Sequence, residues 1–117
     1  MNTLPLTKTS QLTVNAPAMD QVDVAYEELS QGMNLEAVNE LEGSALVMAE
    51  DPAALINLGT AYARLGHMEK ARESYRTAMS SDERYVLELA DGSWVDSRRA
   101  AKMAADALSR GTVLALR

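Results

Sequence analysis

Residues 52 to 85, PAALINLGTAYARLGHMEKARESYRTAMSSDERY, decide how the rest of the chain is read. Asp51 and Pro52 together predict a helix start. The aspartate can accept hydrogen bonds from the first unpaired amides, and a proline at the first helical position lacks only an N–H that has no partner there. Leu55, Leu58, Ala61, Tyr62 and Leu65 then recur at intervals of three and four, the stripe of a helix running to about Leu65. Gly66 ends it. A second helix, from Met68 or Glu69 to about Met79, places Ala71, Tyr75 and Ala78 on one side, and Ser80-Ser81-Asp82 closes it. Small residues at Gly59 and Ala71 let the two helices approach closely, while Leu58, Tyr62 and Tyr75 fill the space beside them. Gly66 permits the tight connection.

The pattern Leu55-x2-Leu58-Gly59-x2-Tyr62, Gly66, Ala71-x3-Tyr75-x2-Ala78 resembles the tetratricopeptide repeat family position by position. A period of 34 residues projects the repeat back onto residues 18–51. Ala25, Gly32, Ala37 and Leu41 then stand opposite Gly59, Gly66, Ala71 and Tyr75. Gln21 and Glu28 depart from the pattern at the places of Leu55 and Tyr62. Either this is a divergent terminal repeat with a polar outer side, or the first helix is shifted by one residue so that Val22 and Leu29 take those places. The fold class expected is mainly α: tetratricopeptide-like antiparallel helix hairpins, a fragment of an α-solenoid, with a C-terminal β-hairpin and a capping helix.

Outward from this repeat, the apolar positions Met19, Val22, Ala25, Tyr26 and Leu29 predict a first helix that stops at Gly32. Leu35, Val38, Leu41, Ala45 and Met48 predict a second, its stripe broken by Gly43 at a modest helix cost and ended by Asp51-Pro52. Residues 1–17, rich in Thr, Ser, Asn and Pro, read as a flexible arm. On the other side, Tyr85, Leu87 and Leu89 alternate with Val86, Glu88 and Ala90 before Asp91-Gly92. That pair predicts a hairpin over residues 84–96, with both central turn residues at positive φ and Leu89 facing Trp94. A short helix over 83–90 fits the same spacing. The stretch Arg84 to Arg98 also resembles the tails of small bacterial repeat proteins, a likeness that implies no chemistry. Asp96 or Ser97 can cap a last helix, 97–110, with Ala100, Met103, Ala104, Ala107 and Leu108 on its apolar side and Gly111 at its end. Residues 18–111 thus read as one domain, followed by an apolar tail, 112–117.

Composition narrows the function. The chain has 117 residues, enough for one compact core. Apolar residues make up 47% of it, but aromatics only 4% and Phe is absent, so Ala, Leu, Val and Met fill the interior. The absence of Cys removes disulfides, thiolate metal sites and cysteine nucleophiles. Without an apolar run of about 18 residues, or a leader-like start, the expectation is a soluble, cytoplasmic protein with no membrane insertion. The formal charge of −6 argues against nucleic acid as the partner. Residues 1–63 hold nine acids against Lys8 alone.

Motifs for catalysis are missing: no phosphate-binding loop, dinucleotide fingerprint or nucleophile elbow appears. His67 is the single histidine and reads as a solvated turn residue with no companion ligands. Glu27 with Glu28 and Glu40 with Glu42 read as solvated faces, Arg98-Arg99 with Lys102 as a solvated helix start, and the methionines as core filler. Neither an enzyme nor a cofactor or metal is expected. The tetratricopeptide resemblance implies a non-catalytic module that holds a protein or peptide in a groove lined by the first helix of each repeat. Carried over residue by residue, its lining is Ile56, Thr60, Ala63 and Arg64, with Val22, Tyr26 and Leu29 from the first repeat. Asn57 matches one position of the family's carboxylate clamp, but Val22 and Tyr26 stand where that clamp needs Lys and Asn. The acidic first half implies a ligand with apolar anchors and basic flanks. The alternative is homotypic assembly, a homo-oligomer formed through an open helix face or the apolar tail.

Overall fold

The structure is a computed structural model and describes residues 24 to 111. The expectations for the arm 1–17, for Val22 and for the tail 112–117 lie outside the described residues. Within them the protein is mainly helical, with a small two-stranded antiparallel sheet: α1 (Tyr26–Ser30), α2 (Asn34–Leu41), α3 (Ala45–Met48), α4 (Pro52–Arg64), α5 (Met68–Ser80), β1 (Val86–Glu88), β2 (Trp94–Asp96) and α6 (Ser97–Ser109).

The helix that decided the reading is the centre of the molecule. Every residue of α4 from Pro52 to Ala63 is buried, which is how a helix behaves when it is covered all round rather than along one stripe. It packs against α5, α2 and α6. Its start is the one its sequence predicts: Pro52 is in the first turn and an Asp51 carboxylate oxygen accepts from the Ala54 amide at 3.1 Å. Its end is a left-handed Gly66, φ 84°, with His67 N–H donating to the Tyr62 carbonyl and Gly66 N–H to that of Ala63. This pair of bonds satisfies carbonyls that the last turn leaves open. Thirty-four residues earlier, Gly32 at φ 75° ends α1 with the same two bonds, Met33 to Glu28 and Gly32 to Leu29. Across the α4–α5 interface a Cβ placed on Gly59 would sit 2.6 Å from Tyr75 Cε1 and 3.2 Å from the Ala71 carbonyl. The small residue is therefore required by contact, as its spacing implies.

Three expectations are corrected. Ala25, read as part of a continuous first helix, is left-handed at φ 61° and fully buried, so α1 begins only at Tyr26. Gly43, read as a weak point inside the second helix, divides it: at φ 79° it separates α2 from the single turn of α3, which Ser44 recaps by accepting from Val47 N–H. A left-handed residue cannot continue a right-handed helix. The hairpin forms, but its turn spans three residues. Gly92, at φ 92°, is positive and Asp91 is not, and Leu89 N–H donates to the Ser93 carbonyl while Gly92 N–H donates to that of Leu89. This is the longer hairpin loop, in which one left-handed glycine follows an ordinary turn. The register shifts accordingly: Glu88 pairs with Trp94 and Leu87 with Val95. Leu89 is buried and Trp94 is 58% exposed, so the two do not face each other.

The hairpin is tied to the helices by polar contacts. Ser97 N–H donates to the Tyr85 carbonyl and Tyr85 N–H to Ser97 Oγ. The Tyr85 hydroxyl donates to Asp51 at 2.6 Å, joining the strand entry to the α4 cap. Arg98, read as part of a solvated basic patch, donates instead to the Ser81 carbonyl at 2.9 Å. Asp96 caps α6 by accepting from Arg99 N–H.

Candidate interaction surface

The lining carried over from the repeat resemblance does not form an open groove among the described residues. Ile56 and Thr60 are fully buried, Ala63 and Leu29 nearly so, and Tyr26 is half-buried against the core. Thr60 shares a hydrogen bond with the Tyr75 hydroxyl at 2.9 Å. Arg64 donates to the Leu29 carbonyl at 2.9 Å and reaches Asn34 Oδ1 at 3.4 Å, which ties the end of α4 to the first helical pair. Asn57 is buried and donates to the Val24 carbonyl at 2.9 Å. These side chains are committed to internal contacts because they lie where α4 packs against its neighbouring helices.

An open depression lies elsewhere. Between α3 and α5, over α4, is a groove of about 410 Å³. Leu55, Leu58 and Tyr62 of α4 form its floor, and Val47 and Met48 of α3 one apolar wall; Ser74 and Thr77 of α5 stand on the other. Glu42, Glu50, Glu73 and Lys70 surround it. Gly43, at the split between α2 and α3, lies on its edge. The single turn of α3 packs only lightly on α4, and that flank is partly uncovered. Met48 projects with 75% of its surface exposed, and Met33 and Met68 are exposed as well, so the reading of the methionines as core filler holds for Met79 and Met103, which pack against the core, and not for these three.

Tyr62 is the polar centre of this floor. Its hydroxyl donates to Glu42 Oε2, and the Lys70 ammonium lies 5.4 Å above its ring. His67, exposed in the turn, approaches the same ring at 6.2 Å between centroids. Burial, reinforced by the hydrogen bond to Glu42 and by the negative charges of Glu42 and Glu73, pushes the Tyr62 hydroxyl up to about 12 from its ordinary 10.0. A tyrosine whose folded pKa is raised contributes stability that is complete below its unfolded pKa and is lost as pH climbs through the folded one. The thermal midpoint should therefore fall between about pH 10 and pH 12. Tyr75 and Tyr85 are shifted the same way by burial, so Tyr62→Phe should reduce this slope without abolishing it. A midpoint independent of pH over that window in the parent protein would contradict the arrangement.

Glu42, Val47, Met48, Glu50, Tyr62, Lys70 and Glu73 were not readable as one surface from the chain. Their one sequence signal is Gly43, the left-handed residue that separates α3 from α2. No family model, curated protein or solved structure matches the chain. No helix among the described residues is long and apolar enough to cross a membrane.

Proposed function

We propose that this protein is a non-catalytic interaction module of tetratricopeptide-like construction that binds an apolar-anchored segment of a partner protein in the groove between α3 and α5. The observation that carries the reading is the groove itself, with an apolar floor of Leu55 and Leu58, a protruding Met48 and a polar rim. That combination suits a side chain seated in an apolar slot with charged groups orienting it. The repeat construction is supported by the 34-residue spacing of the Gly32 and Gly66 turns and by the close approach of Gly59 to Tyr75 and Ala71. The hairpin and α6 stand where a third repeat would follow.

Selection of a random peptide library on the full chain tests the proposal, with binders mapped by amide chemical shifts. Shifts at Val47, Tyr62 and Thr77, and binding lost in Met48→Asp, are expected. Binders that shift only the exposed hairpin residues Val86 and Trp94 would overturn the assignment of the groove. Self-association in sedimentation, relieved by Met48→Asp, would replace a foreign partner with a second copy of the chain.

A further inference from the structure

The groove contains one feature that its shape does not require: a cation of the protein's own already sits on the floor's aromatic ring. We propose that the partner segment places an arginine side chain over the Tyr62 ring, and that Lys70 is the intramolecular stand-in for that cation. The proposal rests on the groove being an interaction site and adds the chemistry of what enters it.

The Lys70 ammonium is 5.4 Å from the Tyr62 ring centroid, inside the distance at which a ring face attracts a cation. The hydroxyl of the same ring donates to the Glu42 carboxylate, which leaves the ring richer in electrons. Negative charge exceeds positive around it. Three carboxylates, Glu42, Glu50 and Glu73, border the groove against the single ammonium of Lys70, a formal surplus of two. Among the described residues the Glu50 and Glu73 side chains have no ion-pair partner, and Lys70 itself has no carboxylate within 4.0 Å. Burial first, and then the Glu42 hydrogen bond and the charges of Glu42 and Glu73, raise the Tyr62 hydroxyl, in keeping with this negative surplus. A lysine lying across an aromatic face without a carboxylate partner, on the exposed part of α5, is held weakly and can swing out. An arginine suits the position better than a second lysine. Its planar guanidinium stacks on the ring while its edge donates to flanking carboxylates, and it is less strongly hydrated. Beside it, Val47, Met48 and Leu55 offer the slot for an apolar neighbour in the same segment.

Two fluorescein-labelled peptides of about twelve residues, identical in their leucines and differing only in arginine or the uncharged isostere citrulline, provide the test on the full chain by anisotropy. At physiological salt the arginine peptide should bind about five- to tenfold more tightly, the sum of one ring–cation contact and one exposed charge pair. Lys70→Met should strengthen arginine-peptide binding about threefold or more. Arg76→Met, which removes the same charge from an exposed position of α5 outside the groove, should change it far less. If both peptides bind equally and still shift the amides of Val47 and Tyr62, the arginine site is wrong while the interaction groove stands. Unchanged or weaker arginine-peptide binding in Lys70→Met overturns the stand-in role. If neither peptide binds and the library yields no binder that Met48→Asp abolishes, both readings fall together.

Discussion

Gly59→Ala is expected to destabilise the protein even though it improves the helix it sits in, and Gly59→Leu to unfold it or leave it marginal. On propensity alone, alanine in place of glycine inside a helix adds about 1 kcal/mol. The tertiary contact opposes this. The new Cβ would lie 2.6 Å from Cε1 and 2.8 Å from Cδ1 of Tyr75, and 3.2 Å from the Ala71 backbone oxygen. The ring cannot yield cheaply, because Tyr75 is fully buried and its hydroxyl is hydrogen-bonded to Thr60 at 2.9 Å. Moving α5 away as a body would open the main interface of the molecule. Overpacking a rigid core costs about 1 to 3 kcal/mol for small insertions, so Gly59→Ala should come out net destabilising by about 1 kcal/mol or more. For the leucine the cost should approach total stability, which for a domain of this size is about 5 to 10 kcal/mol. Thermal or denaturant melts give the sign directly: a higher midpoint for Gly59→Ala would mean that helix propensity wins and that α4 and α5 do not touch here.

The second large effect is expected at Asp51, through loss of two contacts at once. This carboxylate is 2% exposed. One oxygen accepts from the Ala54 amide and caps α4, and the other accepts from the Tyr85 hydroxyl at 2.6 Å. It therefore joins the central helix to the entry of the hairpin. Asp51→Ala removes a helix cap, typically about 1 kcal/mol, and leaves a largely buried hydroxyl without its acceptor, a further 1 to 3 kcal/mol or so. A loss of about 2 to 4 kcal/mol should result. Asp51→Asn, which keeps an oxygen in place, should cost less. The double variant with Tyr85→Phe isolates the second contact: its loss should be smaller than the sum of the single losses, because the orphaned hydroxyl is gone. Strict additivity would show that the two groups act independently.

The α4–α5 pair was legible in the chain because everything that specifies it is local. Asp51-Pro52 starts the helix, Gly66 ends it, and periods of three and four assign the inner side. The Asp91-Gly92 pair signalled the hairpin in the same local way but left a short helix open, and either Asp96 or Ser97 fitted the α6 cap; the structure selects the hairpin and Asp96. The turn's length was not legible. Asp91-Gly92 satisfies a two-residue loop as well as a three-residue one, and the choice moves Trp94 from the inner face to solvent. Gly43 is a similar case. Its helix cost is small, and whether a helix passes through or divides depends on what covers the flanks.

The groove expected from the repeat resemblance shows the same limit at the level of function. Ile56, Thr60 and Ala63 occupy the periodic positions the resemblance assigns, yet in the fold these positions are interior. Periodicity states which residues share a side of a helix, and it contains no information on how many neighbours the helix has. The sequence alone determined the helix boundaries at Asp51-Pro52 and Gly66, the need for a small residue at Gly59 and the acidity of the first half; between a hairpin and a short helix over 83–90 the structure decided. Only the tertiary structure decided which flank of α4 stays open, because that depends on how α2, α3, α5 and α6 pack around it. It also decided which acids gather there: Glu42, Glu50 and Glu73 are separated along the chain and meet Lys70 and Tyr62 only through packing.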